Sequence, residues 1–142
     1  MREGLDILLC RKYPSIFRDR HKDSNESCMG RGFEVGDGWY RIIDELCAKL
    51  QLLEGLGVFP IASQVKEKVG MFRFYFRLEF DQKWNEQQQL LWREIVSDCC
   101  RGAESQSEYT CEECGSPGNR RAGKLNNVQT LCDDCGGKAH AE

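Results

Sequence analysis

The chain has 142 residues, 30% of them charged, and a net charge of −3. That length allows one modest core and a small appendage, and the acidic balance excludes long-range attraction to nucleic acid or to an anionic membrane as its governing property. No apolar run reaches membrane-spanning length, the start MREGLDILLCRKYP does not read as a signal peptide, and nine cysteines, an odd number, point to a reducing cytosol rather than a disulfide scaffold.

Leu5, Leu8, Leu9 and Cys10 recur at near-helical spacing, and Pro14 stops a short first helix. Residues 14–38 are polar and glycine-bearing and read as a long ordered loop. Trp39, Ile42, Ile43, Leu46, Cys47, Leu50 and Leu53 then mark an amphipathic helix, with Asp37 as its candidate N-cap and Gly55 and Gly57 at its end. From Met71 to Phe80 the period changes to two: Phe72, Phe74, Phe76, Leu78 and Phe80 share one side of a half-buried strand, and Arg73, Tyr75, Arg77 and Glu79 the other. Its partner is residues 61–68, across a turn near Gly70. Asp81 is the candidate cap of a third helix carrying Trp84, Leu91, Ile95 and Cys99 and ending near Cys100, followed by the polar linker GAESQSE. The expected class is α+β: a small antiparallel hairpin or sheet covered by two or three helices over residues 1–106, with a zinc-ribbon-like module and short tail over 107–142.

That module carries Cys111, Cys114, Cys132 and Cys135 in a C-x2-C-x17-C-x2-C array. Each C-x-x-C supplies two thiolates from one tight turn, and four thiolates satisfy tetrahedral Zn²⁺ with no open position for water, so the metal is expected to be structural. Gly115 and Gly136 follow the two pairs and let the chain turn away with positive φ. Cys10, Cys28, Cys47, Cys99 and Cys100 are expected to be free thiols. A pair of disulfides is the alternative that the spacing disfavours.

Three strings, GFEVGDGWYRIIDELC, ASQVKEKVGMFRFYF and CEECGSPG…LCDDC, together resemble a family of small, mostly uncharacterised proteins of bacteriophages and prophages. The resemblance runs from about Tyr13 to Cys135 and implies a virus-borne accessory protein in a bacterial cytoplasm, of a kind used against host defences. It brings no established activity, and RAGKLNNVQTLC lacks the tryptophan expected before the second knuckle.

Two stretches are candidates for binding. The loop 32–40 places Phe33, Glu34, Asp37, Trp39 and Tyr40 among glycines before a helix, where backbone amides favour anions and glycines allow close approach; equally, Asp37 caps the helix and Phe33 and Trp39 anchor the loop to the core. The hairpin face sets Arg73, Tyr75 and Arg77 beside Lys66 and Lys68, suited to a phosphate plus a base, or simply a solvated strand face. The favoured function is a non-catalytic binding protein that sequesters a nucleotide-like anion or blocks a host protein. A nucleic-acid-associated regulator using the ribbon tip Arg120, Arg121 and Lys124 is the alternative, disfavoured by the acidic residues around that tip. A small metal-dependent hydrolase on Glu34, Asp37 and Asp44 is the third reading; His21 and His140 lie in no catalytic string.

Overall fold

The computed structural model describes residues 1–123, 125 and 127–140, with no side-chain description for the last three. The elements are α1 (Glu3–Lys12), β1 (Phe33–Glu34), α2 (Tyr40–Gln51), β2 (Val58–Lys68), β3 (Met71–Phe80), α3 (Glu86–Ser107), β4 (Asn119–Ala122), β5 (Val128–Leu131) and α4 (Asp133–His140), with short 3-10 turns at Cys28–Arg31, Asp37–Trp39 and Leu52–Leu56. The architecture is α+β: a three-stranded sheet in the order β1-β2-β3 and a separate β4-β5 ribbon.

The large sheet is mixed. β2 and β3 form the expected antiparallel hairpin, but β1 adds a parallel edge, with Phe33 opposite Val65 and Glu34 opposite Lys66. Ladder register shifts between Ala62 and Gln64, leaving Ser63 as the extra residue of a bulge. Strand alternation in β3 buries Phe72 and Phe74, and Trp39 and Phe72 meet edge to face with ring centroids 6.1 Å apart. Val65, Phe33, Ile43 and Leu50 join the same cluster, to which α3 contributes Val96, Cys100 and Ala103.

Three local expectations change. Asp37 does not cap α2; its carboxylate accepts from the Arg2 amide at 2.7 Å and pairs with the Arg2 guanidinium, tying the N-terminus to the loop. Asn85, not Asp81, caps α3, through a reciprocal capping box with Gln88. That helix also continues through the segment read as a linker, because Ala103 and Ser107 extend the buried stripe of Val96 and Cys100, and the Ser107 hydroxyl accepts from the Phe72 amide. The loop 14–38 is ordered by Arg20, which donates to both oxygens of Asp6 on α1 at 2.8–3.1 Å.

Candidate functional site: a four-cysteine centre docked on the core, and a polar cleft

The four ribbon cysteines converge. Their sulfurs all lie within 4.8 Å of one another, and Cys114 and Cys132 are 3.6 Å apart. Tetrahedral Zn–S bonds of about 2.3 Å place sulfurs roughly 3.8 Å apart, whereas a disulfide holds them near 2.05 Å, so the spacing fits a shared metal. All nine cysteines are unpaired. Hydrogen bonding from Ser116 brings the Cys114 thiol down to about 6, while hydrogen bonding with Cys132 and burial push Cys135 up, as four sulfurs compete for protons in one small volume. Burial raises the Cys47 thiol and lifts those of Cys10 and Cys100 to about 11 and about 12, which disfavours their thiolate forms.

Each knuckle is built by its backbone. The Gly115 amide donates to the Cys111 carbonyl at 2.9 Å, and the Cys135 amide points at the Cys132 sulfur at 3.4 Å. Gly115 has φ 80° as expected, but Gly136 does not adopt positive φ; it lies inside α4.

The first knuckle packs directly on the glycine loop. The Gly38 amide donates to the Glu112 carbonyl at 2.7 Å, the Gly36 amide to the Glu112 carboxylate at 3.1 Å, and the Trp39 indole to the Thr110 carbonyl at 2.8 Å. A Cβ on Gly38 would collide with the Cys111 carbonyl, and one on Gly36 with that of Glu112. The close approach that these glycines permit is therefore to the metal module. Glu112, one of the acidic residues of the ribbon, is buried, and burial raises its carboxyl despite the Gly36 amide. A second tie joins the Thr130 hydroxyl to the Gly70 carbonyl at 2.7 Å.

This packing settles where the loop candidates lie. Trp39 is fully buried and Phe33 nearly so, against Phe17 with ring centroids 4.9 Å apart, so neither faces solvent; core packing takes both. Tyr40 is half-buried at the start of α2. Glu34 accepts from Gln64 at 3.2 Å, Asp37 pairs with Arg2, and Asp44 accepts from Lys12 at 2.5 Å and from the Tyr13 hydroxyl at 2.6 Å. The three carboxylates do not converge: among the described residues, only the cysteine cluster gathers three or more potential metal-ligating side chains. The hydrolase reading loses its site.

On the hairpin face, Lys66 stands opposite Arg73 and Lys68 opposite Met71, and Arg73 pairs with Glu104 of α3 at 3.0 Å. Tyr75 and Arg77 alone of the predicted set line an open cleft of ≈ 440 Å³, together with Asp19, Lys22, Ser63 and Gln64. Asp19 is 1% exposed, yet its two oxygens face Arg77 and, at 3.0 Å, Lys22. Burial by itself would raise its carboxyl; the two cations outweigh this and hold it below the usual carboxylate range. Arg77 and Lys22 themselves remain close to half exposed, and Tyr75 is 42% exposed beside them. The string FRDRHKD gave no signal of this, since its charges follow no apolar period. In the ribbon, Arg121 pairs with Asp133 at 2.8 Å, and Lys124 lies outside the described residues.

No helix is long and apolar enough to cross a membrane among the described residues. Comparison with protein-family models, with curated proteins and with solved structures gives no match.

Proposed function

We propose that the four thiolates hold one structural Zn²⁺ and that the chain is a non-catalytic binding protein whose ligand is a small nucleotide-like anion. Four sulfurs complete a tetrahedron, which leaves the metal to stabilise the fold rather than to activate water. The observation that carries the ligand reading is the pair of cations, Arg77 and Lys22, set over one buried carboxylate at the mouth of a cleft beside the exposed ring of Tyr75. Asp19 acts as a positioning residue for both cations, with Glu79 beside the second Arg77 nitrogen at 3.7 Å and Glu26 on the same cleft wall. A phosphate suits those donors, and a base suits the Tyr75 face. The resemblance to phage and prophage proteins supports placing this activity in a bacterial cytoplasm, where the protein withholds its ligand from a host component.

Native mass spectrometry of protein purified from bacterial cytosol, followed by denaturation, tests both halves. One zinc per chain and a co-purifying phosphate compound are expected, with nucleoside monophosphate affinity lowered at least tenfold by Tyr75→Ala and by Arg77→Gln. Zinc alone, with no nucleotide binding at millimolar concentration, overturns the ligand reading. A chain that folds and holds no metal overturns the other.

A further inference from the structure

The cleft beside Tyr75 carries more acid than an anion site needs, and one of its carboxylates has no cation of its own. Asp19 is held by Arg77 and, at 3.0 Å, by Lys22, and Glu79 by Arg18 at 3.1 Å and by Arg77 at 3.7 Å. Glu26 also lines the cleft; it is exposed, and among the described residues its carboxylate makes no ion pair or hydrogen bond. Its backbone is nevertheless fixed. The Glu26 amide donates to the Asp23 carbonyl at 2.8 Å, and the neighbouring Ser27 hydroxyl accepts from the Met29 amide at 3.2 Å. The same segment packs so closely on Gly30 that a Cβ there would lie 2.3 Å from the Lys22 carbonyl. Lys22 and Glu26 therefore present a cation and an acceptor from one braced turn. Gln64 on β2 adds a second acceptor to the cleft: its amide nitrogen is engaged with Glu34 at 3.2 Å, and its carbonyl oxygen has no partner among the described residues.

We propose that the cleft is selective for a guanine nucleotide, an inference that rests on the nucleotide-like ligand reading above. Glu26 accepts from the base while the ring lies on Tyr75 and the phosphate meets Arg77 and Lys22. The hydrogen-bonding edges of the bases select guanine. An ionised carboxylate only accepts, through two oxygens side by side, so it needs two adjacent donors. Guanine presents them as N1–H and the N2 amino group. Adenine and cytosine set one amino group beside a ring nitrogen that accepts, and uracil sets its single N–H between two carbonyls. Each of these puts an acceptor against the second carboxylate oxygen, and a site built to receive donors rejects a base that lacks them. Inorganic phosphate brings charge for Arg77 and Lys22 but no donor for Glu26, whose charge repels it.

Isothermal titration calorimetry of the zinc-loaded full chain with guanosine, inosine and adenosine monophosphates and with inorganic phosphate tests this. The guanosine compound is expected to bind about tenfold more tightly than the adenosine compound, the range of one bidentate pair, with inosine, which lacks the N2 amino group, between them and phosphate weakest. Glu26→Gln is expected to weaken guanosine monophosphate about tenfold and to leave adenosine monophosphate unchanged, so that the two converge. Glu26 is exposed, and unchanged circular dichroism and zinc content show that the variant folds. Equal affinity for the guanosine and adenosine compounds, an inosine compound bound as tightly as guanosine, or a preference that Glu26→Gln leaves intact overturns the guanine assignment while the nucleotide-like reading stands. No binding of any of the three nucleotides at millimolar concentration removes that reading and the guanine assignment with it.

Discussion

Gly38 and Glu112 share a backbone hydrogen bond of 2.7 Å, so the turn that opens α2 and the knuckle that opens the metal module are one piece of structure. The adjoining residues repeat the tie on either side, Gly36 to the Glu112 carboxylate and Trp39 to the Thr110 carbonyl. Trp39 is also a fully buried core side chain. Anything that loosens the knuckle therefore withdraws a partner from a buried indole, and the cost passes from the ribbon to the core.

The first consequence concerns Gly38. A Cβ at that position has no room beside the Cys111 carbonyl and the Gly115 amide, and both obstacles are backbone, which cannot swing aside as a side chain can. Gly38→Ala is expected to lower unfolding free energy by about 1–3 kcal/mol. Gly55→Ala, at a position with nothing within 4 Å, is the control and is expected to shift it by less than about 0.5 kcal/mol. Urea denaturation of the two variants side by side gives the comparison; equal midpoints would mean that the packing of Gly38 against the knuckle carries no stability.

Metal removal should reach past the ribbon. Chelation takes away much of the folding free energy of a short metal-stapled segment, and here it also releases the acceptors of the Gly36, Gly38 and Trp39 donors. Amide hydrogen exchange is expected to accelerate in residues 109–137 and in residues 36–40 together, while the β2-β3 ladder keeps its protection. Exchange confined to the ribbon would show that the dock is held by the core alone. Cys111→Ser is expected to reproduce the chelated pattern.

The parts of this arrangement that the sequence announces are those with a strong local period or spacing. The apolar repeat of α2, the alternation of β3 and the four cysteines each declare themselves within a short window. The dock does not, because its contacts are backbone to backbone: the glycines of GFEVGDGWY look the same whether they face a phosphate or a carbonyl of Glu112. β1 is equally silent, a two-residue strand whose pairing depends on β2 arriving beside it. The end of α3 was legible in part, since Ala103 and Ser107 continue the stripe of Val96 and Cys100, but small residues carry little hydrophobic signal and GAESQSE resembles a linker by composition. Asp19 fails for another reason: a buried acid that gains two cations from different elements has no signature near its own position.

That carboxylate gives stability a pH dependence of definite sign. Its folded pKa lies below the unfolded one, so its contribution is fully present above the usual aspartate range and is lost as pH falls through the folded value. Asp19→Asn is expected to cost about 1–3 kcal/mol at neutral pH, between the cost of losing an exposed pair and that of breaking a fully buried one, because both cations are partly exposed. The gap between variant and parent should then narrow below pH of about 4. Denaturation midpoints across a pH series read it directly; a constant gap would assign the loss to packing rather than to charge.

The hairpin turn offers a change in the other direction. β2 and β3 are joined by Val69 and Gly70, whose φ values are 53° and 78°. Two successive left-handed residues match the twist of a two-residue hairpin, and asparagine followed by glycine is the pair that adopts them most readily. Valine is poorly suited to the first position: its branched Cβ crowds the backbone there, at a cost of roughly 1–2 kcal/mol. Its side chain is 60% exposed, so little burial is lost on replacing it. Val69→Asn is therefore expected to raise unfolding free energy by about 1 kcal/mol, and Val69→Ala by less, because alanine removes the branching without gaining the local hydrogen bonding that lets asparagine settle in this region. Thermal denaturation of the three proteins ranks them. The order asparagine, alanine, valine identifies backbone strain as the cause; a loss of stability in both variants would mean that Val69 makes contacts whose value exceeds the strain, most directly with the ribbon strand β5 that passes beside Gly70.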